Sequence, residues 1–375
     1  MINLSLLFVF SAALFAQDPK EGDVFDLGGR KATVKKADVL PYVESDYTKR
    51  FKFDSFENPK LKELREKYKL AEVVAAGKDE FDKQVLLNDW VHFQFKKFGS
   101  PTANPKGALE ILKGVEQGQT FFCAHYASTM VSAAASLGWV DRALALRRHK
   151  DYPGAGAPEH SSSEIWSNQY RKWIMIDPTA NMYVEKDGVP LNAYEIRTEW
   201  FAREGKDLVF SIGKERKKYR KADLPIFLGR FASFGDLTVP ANEMEKYGFT
   251  GYIPNTNLMD AGDDYGKMFI VKDALCEAKW HERVNPANPS VDPYFPIGQA
   301  ALSLSADGGK LKVAIKTMTP NLKEFRVRID GGEWKASADS FAWALHPGSN
   351  KLESKTVNQF GVEGPVSLVE VEGSK

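Results

Sequence analysis

Cysteine is scarce in this chain: only Cys123 and Cys276 occur among its 375 residues. Two thiols are too few for a disulfide scaffold or for a zinc site built from cysteine. The histidines away from the segment discussed below are scattered without ligand spacing, so we expect no metal site and no cofactor. The fold must therefore be stabilised by its apolar core.

An excess of one charge is also missing. Lys and Arg total 51 against 50 Asp and Glu, which leaves a net charge of +1. Such a balance creates no general field to attract a phosphate backbone, so nucleic acid is not an expected partner. Hydrophobic residues make up 43% of the chain, which excludes global disorder, and the length allows two or three folded units.

Long apolar runs are absent except at the start. The stretch from Leu4 to Ala16 carries no charge and is followed at once by Gln17 and Asp18. It is shorter than the roughly 20 apolar residues that a spanning helix needs, so no transmembrane segment is expected. We interpret residues 1–16 as a signal peptide, with a buried strand or a membrane anchor as alternatives. The mature protein is then expected to be secreted or periplasmic.

Helical patterns come first and strand patterns follow. Apolar stripes predict three helical segments between residues 60 and 120, and an Ala-rich fourth helix runs from Cys123 to Leu137, where Gly138 ends it. Alternating segments then begin at Arg142, Ser163 and Lys172. This order predicts an α+β fold in which helices pack on an antiparallel sheet.

The second half of the chain suggests a further unit. A proline-rich stretch over residues 285–296 predicts a linker, and residues 297–375 contain short alternating segments separated by Gly-rich turns. We predict a small all-β sandwich there, of the immunoglobulin or fibronectin type. A first region then covers residues 17–296, with an extension from about 200 that stays unassigned. Within it, the basic run at 214–221 is typical of a solvated hairpin or loop, and a polyanion site is the alternative.

Cys123 opens the Ala-rich helix, and this position matters chemically. Unpaired backbone N–H groups and the helix dipole at a helix N-terminus stabilise a thiolate, which lowers the pKa of a thiol. The other interpretation is a buried, inert cysteine.

His160 and Asp177 lie on two predicted strands joined by a turn. If the hairpin is centred between Asn168 and Gln169, His160 lies directly opposite Asp177. Opposed side chains point to the same face of a sheet, close enough for a carboxylate to orient an imidazole. Taken singly, His160 and Asp177 are also compatible with ordinary loop and turn positions.

Together these motifs resemble the transglutaminase-like superfamily of papain-like Cys-His-Asp enzymes, over residues 60–200. The likeness rests on Cys123 at the start of its helix, on His160 followed by Glu164, and on the segment WIMIDPT that contains Asp177. The resemblance implies that Cys123 is the nucleophile, His160 its base and acid, and Asp177 the group that orients His160.

Gln119 and the indole of Trp90 are candidates to assist the backbone N–H of Cys123 in stabilising an oxyanion. The alternative interpretations are a glutamine that caps the helix and a tryptophan of the core. For each of these two residues, the oxyanion role and the structural role both stay open at this point.

The resemblance implies acyl transfer: Cys123 attacks an amide or related carbonyl and a thioester forms. We expect hydrolysis rather than crosslinking, because a crosslinker needs an organised amine site. The expected substrate is a protein, a peptide or a cell-wall polymer. The alternatives are a polysaccharide-processing enzyme and a non-catalytic polymer-binding protein on the same fold.

Overall fold

The computed structural model describes residues 16–45, 48, 53, 55–102, 105, 107–147, 160–203, 205–220, 249–252, 269–270 and 294–374. Almost all of the predicted signal peptide, and Cys276, therefore lie outside the described residues. No helix within these ranges combines the length and the apolar character needed to cross a membrane.

The described residues form six helices and eighteen strands. The helices are α1 (Pro59–Lys67), α2 (Leu70–Val74), α3 (Glu80–Gln94), α4 (Ala108–Glu116), α5 (Cys123–Ser136) and α6 (Ala193–Arg203). The strands are β1 (Val24–Asp26), β2 (Lys31–Asp38), β3 (Asp141–Arg147), β4 (His160–Ser167), β5 (Lys172–Asp177), β6 (Met182–Lys186), β7 (Val189–Pro190), β8 (Val209–Ile212), β9 (Lys217–Arg220), β10 (Phe249–Tyr252), β11 (Phe269–Ile270), β12 (Ala301–Asp307), β13 (Lys310–Lys316), β14 (Leu322–Ile329), β15 (Lys335–Ser337), β16 (Ser340–Trp343), β17 (Gly348–Asn358) and β18 (Ser367–Gly373).

Local signals explain where the first helices begin. Asn58 caps α1 by accepting the backbone N–H of Lys60, and Pro59 occupies the first helical position, where no N–H is needed. The side chain of Asp79 caps α3 in the same way. Lys69 adopts a left-handed conformation, with φ 52°, and so divides the first predicted helical segment into α1 and α2.

The central sheet is antiparallel, and its strand order is β11-β10-β3-β4-β5-β6-β8-β9, with β7 paired to β6. Along β5, Trp173 and Met175 belong to one apolar cluster, whereas Ile174 and Ile176 belong to another. Helices α1 to α5 supply most of the second cluster, and α6 contributes to the first. The sheet is therefore buried on both faces, and the predicted α+β class is confirmed.

Two further sheets share a third apolar cluster, which contains residues of both. Their orders are β1-β2-β18-β17-β14-β15 and β12-β13-β16. We call these nine strands the β module. The sequence analysis assigns residues 24–38 to the first region, whereas in the structure their strands β1 and β2 belong to the β module. Strand β2, near the start of the chain, pairs with β18, near its end. Only the folded chain brings these two segments together.

The β module contacts the C-terminal end of α5. The side-chain amide of Asn358 donates to the carbonyl oxygen of Gly138 at 2.8 Å. A Cβ atom on Gly138 would lie 2.4 Å from the Cβ of Phe360, so the Phe360 side chain packs on the Gly138 backbone and leaves no space for a side chain there. Within the predicted linker, Phe295 is buried and its carbonyl accepts the indole N–H of Trp173. The end of that segment is thus part of the packed core.

Candidate active site

Cys123 is the first residue of α5, and its free thiol is 8% exposed. The preceding residue, Phe122, has an extended backbone and makes no side-chain cap. Because the N-cap side chain makes no hydrogen bond to the first turn, the partial positive charge of the helix N-terminus acts on the thiol. The backbone N–H of Ser161 also points at the sulfur, with an N–Sγ distance of 3.3 Å.

His160 and Asp177 are joined by a short hydrogen bond. The Nε2 atom of His160 lies 2.6 Å from Oδ2 of Asp177, and each residue is 1% exposed. The other carboxylate oxygen, Oδ1, accepts the backbone N–H groups of Thr179 and Ala180 at 2.8 and 3.0 Å. Both oxygens of the buried carboxylate are therefore bonded, which fixes the plane of the group.

The register of the hairpin differs from the prediction. Ser163 pairs with Ile176 and Ser167 with Lys172, so the turn is centred one position further along the chain than predicted, and the partner of each residue changes by two positions. The predicted direct opposition of His160 and Asp177 was therefore wrong. A change of two positions keeps both side chains on one face, whereas a change of one would reverse the face. The two side chains meet diagonally across the pair of strands, where the imidazole of His160 reaches the carboxylate of Asp177.

The environment changes the pKa of both reacting groups. Burial alone would raise the pKa of the Cys123 thiol, but the hydrogen bond and charge of His160, with the N–H of Ser161, lower that pKa below its ordinary value. Burial opposes a charge on His160, yet the Asp177 carboxylate and the Cys123 thiol together raise the pKa of the imidazole to about 10. Both shifts favour a thiolate beside an imidazolium at neutral pH.

Two residues outside the predicted triad, Arg142 and Glu164, form a buried ion pair. Arg142 donates to Glu164 at 2.6 Å, and neither side chain is exposed. Glu164 also accepts the backbone N–H of Ala193 at 2.9 Å, and the guanidinium of Arg142 lies 4.0 Å from the ring centroid of Trp173. A buried pair of this kind is stable only when its remaining hydrogen-bonding groups are satisfied, as they are here. It joins β3 and β4 to the start of α6.

Helix α3 carries polar residues that the sequence analysis missed. Asn88, Asp89 and His92 are buried, and their hydrogen bonds reach the turn that follows Asp177. They occupy positions i, i+1 and i+4, which lie close together on one side of a helix. Polar residues at core positions of an otherwise apolar stripe were the signal that would have identified them.

The structure does not bring the two oxyanion candidates into a hydrogen bond with Cys123. The ring of Trp90 packs against that of Tyr68 with 5.8 Å between centroids. The side-chain oxygen of Gln119 lies beside Gly114 of α4. Their proposed role stays a prediction.

The basic run noted in the sequence falls on a described hairpin. The basic run begins in the turn between β8 and β9 and continues through β9, as expected for a hairpin. Within it, Arg216 pairs with Asp82 and Lys218 with Glu185, which offsets part of its charge. No group of three or more His, Cys, Asp or Glu with metal-site geometry occurs among the described residues.

No protein-family model and no curated sequence matches the chain. Among solved structures, it is similar to a proposed cysteine protease from Cytophaga hutchinsonii, with 14% identity and a TM-score of 0.27. The match covers 40% of this chain and 49% of the other, about half of that protein's length. A likeness this weak does not assign the chain to a family.

Proposed function

We propose that this protein is an exported cysteine-dependent acyl-transfer enzyme that hydrolyses an amide or peptide bond through a thioester on Cys123. The observation that carries the proposal is the buried 2.6 Å bond between His160 and Asp177, with the His160 imidazole acting in turn on the Cys123 thiol. The transglutaminase-like motifs of the sequence support the same roles. Export rests on the apolar N-terminal run alone.

The acylation step begins with the thiolate. Its sulfur attacks the carbonyl carbon, a C–S bond forms, and the oxygen gains negative charge, for which we assign the backbone N–H of Cys123 as a hydrogen-bond donor. The C–N bond then breaks, and the amine leaves with the proton of the imidazolium. Asp177 stays ionised and holds the His160 ring in position.

Deacylation reverses the role of the imidazole. Neutral His160 takes a proton from water as the water oxygen attacks the thioester carbon, the C–S bond breaks, and the sulfur leaves as thiolate. Hydrolysis needs only water, whereas amine transfer needs a second binding site. The acyl group therefore leaves as a carboxylic acid.

The test uses a Cys276→Ser variant, in which Cys123 is the single thiol. We expect iodoacetamide to modify Cys123 at pH values below the ordinary thiol range, because a thiolate is the reactive form. A panel of small peptide and glycan amides is then screened for turnover, with Cys123→Ala as the background. Alkylation that follows an ordinary thiol profile, together with no turnover above Cys123→Ala, would overturn the proposal.

A further inference from the structure

The turn after Asp177 is held from two sides. From the inside, Oδ1 of Asp177 accepts the N–H groups of Thr179 and Ala180. From the outside, the carbonyl oxygen of Pro178 lies 3.1 Å from Nδ1 of His92 on α3. A carbonyl oxygen only accepts, so Nδ1 of His92 carries the proton of this bond.

A second contact between α3 and the turn lies one helical turn before His92. The side-chain amide of Asn181 donates to Asp89 at 2.7 Å, and its oxygen accepts the amide of Asn88 at 3.2 Å. Asn181 has φ 52°, a left-handed conformation that asparagine tolerates better than most residues. Asp89 also accepts the backbone N–H of Lys214 at 3.2 Å. The turn is therefore anchored at both Pro178 and Asn181.

These contacts have a geometric consequence for Asp177. One oxygen of its carboxylate is bonded to the turn and the other to His160, so a displacement of the turn rotates the group away from the imidazole. Buried polar side chains weaken a core unless they are bonded, and Asn88, Asp89 and His92 of α3 each bond to this segment.

We propose that His92 is a positioning residue of the active site, which sets the orientation of Asp177 toward His160 by holding the Pro178 carbonyl. Asn88, Asp89 and Asn181 support it by anchoring the other end of the same turn. This inference rests on the proposed function, because it assigns His92 a task within the same site.

The measurement is the pH dependence of Cys123 alkylation in the Cys276→Ser background. Within the described residues, the titratable groups that act on the thiol are His160 on β4, Asp177 on β5 and Tyr126 on α5. His92→Leu removes the donor and roughly keeps the volume. We expect the midpoint of the profile to rise by about one pH unit, or about tenfold less thiolate on the acid side.

Two variants separate positioning from general destabilisation. His92→Asn keeps a donor near the position of Nδ1 and should restore most of the wild-type profile. Gln84→Leu is the matched control, because Gln84 is a buried α3 residue whose side chain donates to the backbone carbonyl of Trp166 at 3.0 Å. Trp166 lies six residues along β4 from His160, about 20 Å at the rise of a strand. Loss of the Gln84 side-chain bond should lower the melting temperature of the protein and leave the midpoint of the alkylation profile unchanged.

The outcomes are distinguishable. A raised midpoint in His92→Leu, its return in His92→Asn, and an unchanged Gln84→Leu support the inference. A wild-type midpoint in His92→Leu, or equal shifts in His92→Leu and Gln84→Leu, overturn it while the proposed function stands. An ordinary thiol profile in the protein that keeps His92, together with no turnover above Cys123→Ala, overturns the proposed function as well. If His92→Leu does not fold, His92→Phe replaces it, since the ring keeps the shape of the side chain and has no N–H to donate; an unchanged midpoint there also overturns the inference.

Discussion

The two ends of α5 show opposite uses of a helix terminus. At its start, no side chain caps the helix, and a buried thiol faces an imidazole and a carboxylate. At its end, Gly138 adopts φ 84°, and the N–H groups of Gly138 and Trp139 bond to the last turn. The β module then packs on Gly138. Fourteen helical residues, about 20 Å, separate the two ends.

This difference teaches where chemistry and stability are located. The start of α5 holds charged groups out of water. This arrangement raises the reactivity of those groups and contributes little to the free energy of folding. The second end buries apolar surface and satisfies its backbone groups, so it contributes to stability. Changes at one end should therefore affect activity, and changes at the other should affect the free energy of unfolding.

The largest expected effect is that of removing the β module. A chain that ends at residue 296 lacks β18, so β2 keeps only β1 as a partner, and the surface around Gly138 becomes exposed. We expect this chain to show no cooperative unfolding transition by circular dichroism. A second chain, residues 39–296, also lacks β1 and β2. Cooperative unfolding of that shorter chain would show that the module is not needed for the fold.

Asp177→Asn tests the start of α5. The amide keeps the volume but removes the charge that stabilises the imidazolium, and the orienting carboxylate of a comparable triad is worth roughly 10⁴ in turnover. We expect a loss of that order with little change in melting temperature, measured above the background of Cys123→Ala. The exposed Asp330→Asn serves as the matched control. Turnover that is unchanged in a folded Asp177→Asn protein would remove Asp177 from the site.

Gly138→Ala tests the other end. The new Cβ would lie 2.4 Å from Phe360 in a left-handed backbone, so we expect about 3 kcal/mol less stability. Gly188→Ala has a similar φ of 80° with nothing within 4 Å, and should cost only about 1 kcal/mol. Urea unfolding measures both. Equal losses would mean that Phe360 yields, and a fall in turnover of the folded Gly138→Ala protein would contradict the separation of the two ends.

The smallest expected effect is a shift in the alkaline limb of the pH profile of acylation. The pKa of His160 is raised to about 10, so the imidazolium that protonates the leaving amine should persist through neutral pH and be lost as the pH approaches that value. Single-turnover acylation should decline there. In Asp177→Asn the carboxylate charge is gone, so the decline should begin at lower pH. Identical alkaline limbs in the two proteins would contradict the role of that charge.

Local patterns predicted much of the fold. The end of α5 at Gly138 and the β4–β5 hairpin follow from periodicity and turn residues, which act over a few positions. The same patterns placed His160 and Asp177 on one face. They missed the register by two, because the exact turn depends on contacts such as that of Glu80 with the backbone of Gln169.

The sequence by itself determined the α+β order, the position of Cys123 at a helix start and the shared face of His160 and Asp177, because each depends on neighbouring residues. Only the tertiary structure decided that β2 pairs with β18 and that His92 holds the turn after Asp177. Those contacts join residues far apart in the chain. Their partners are chosen by packing and by the need to bond buried polar groups, and no local pattern records that choice.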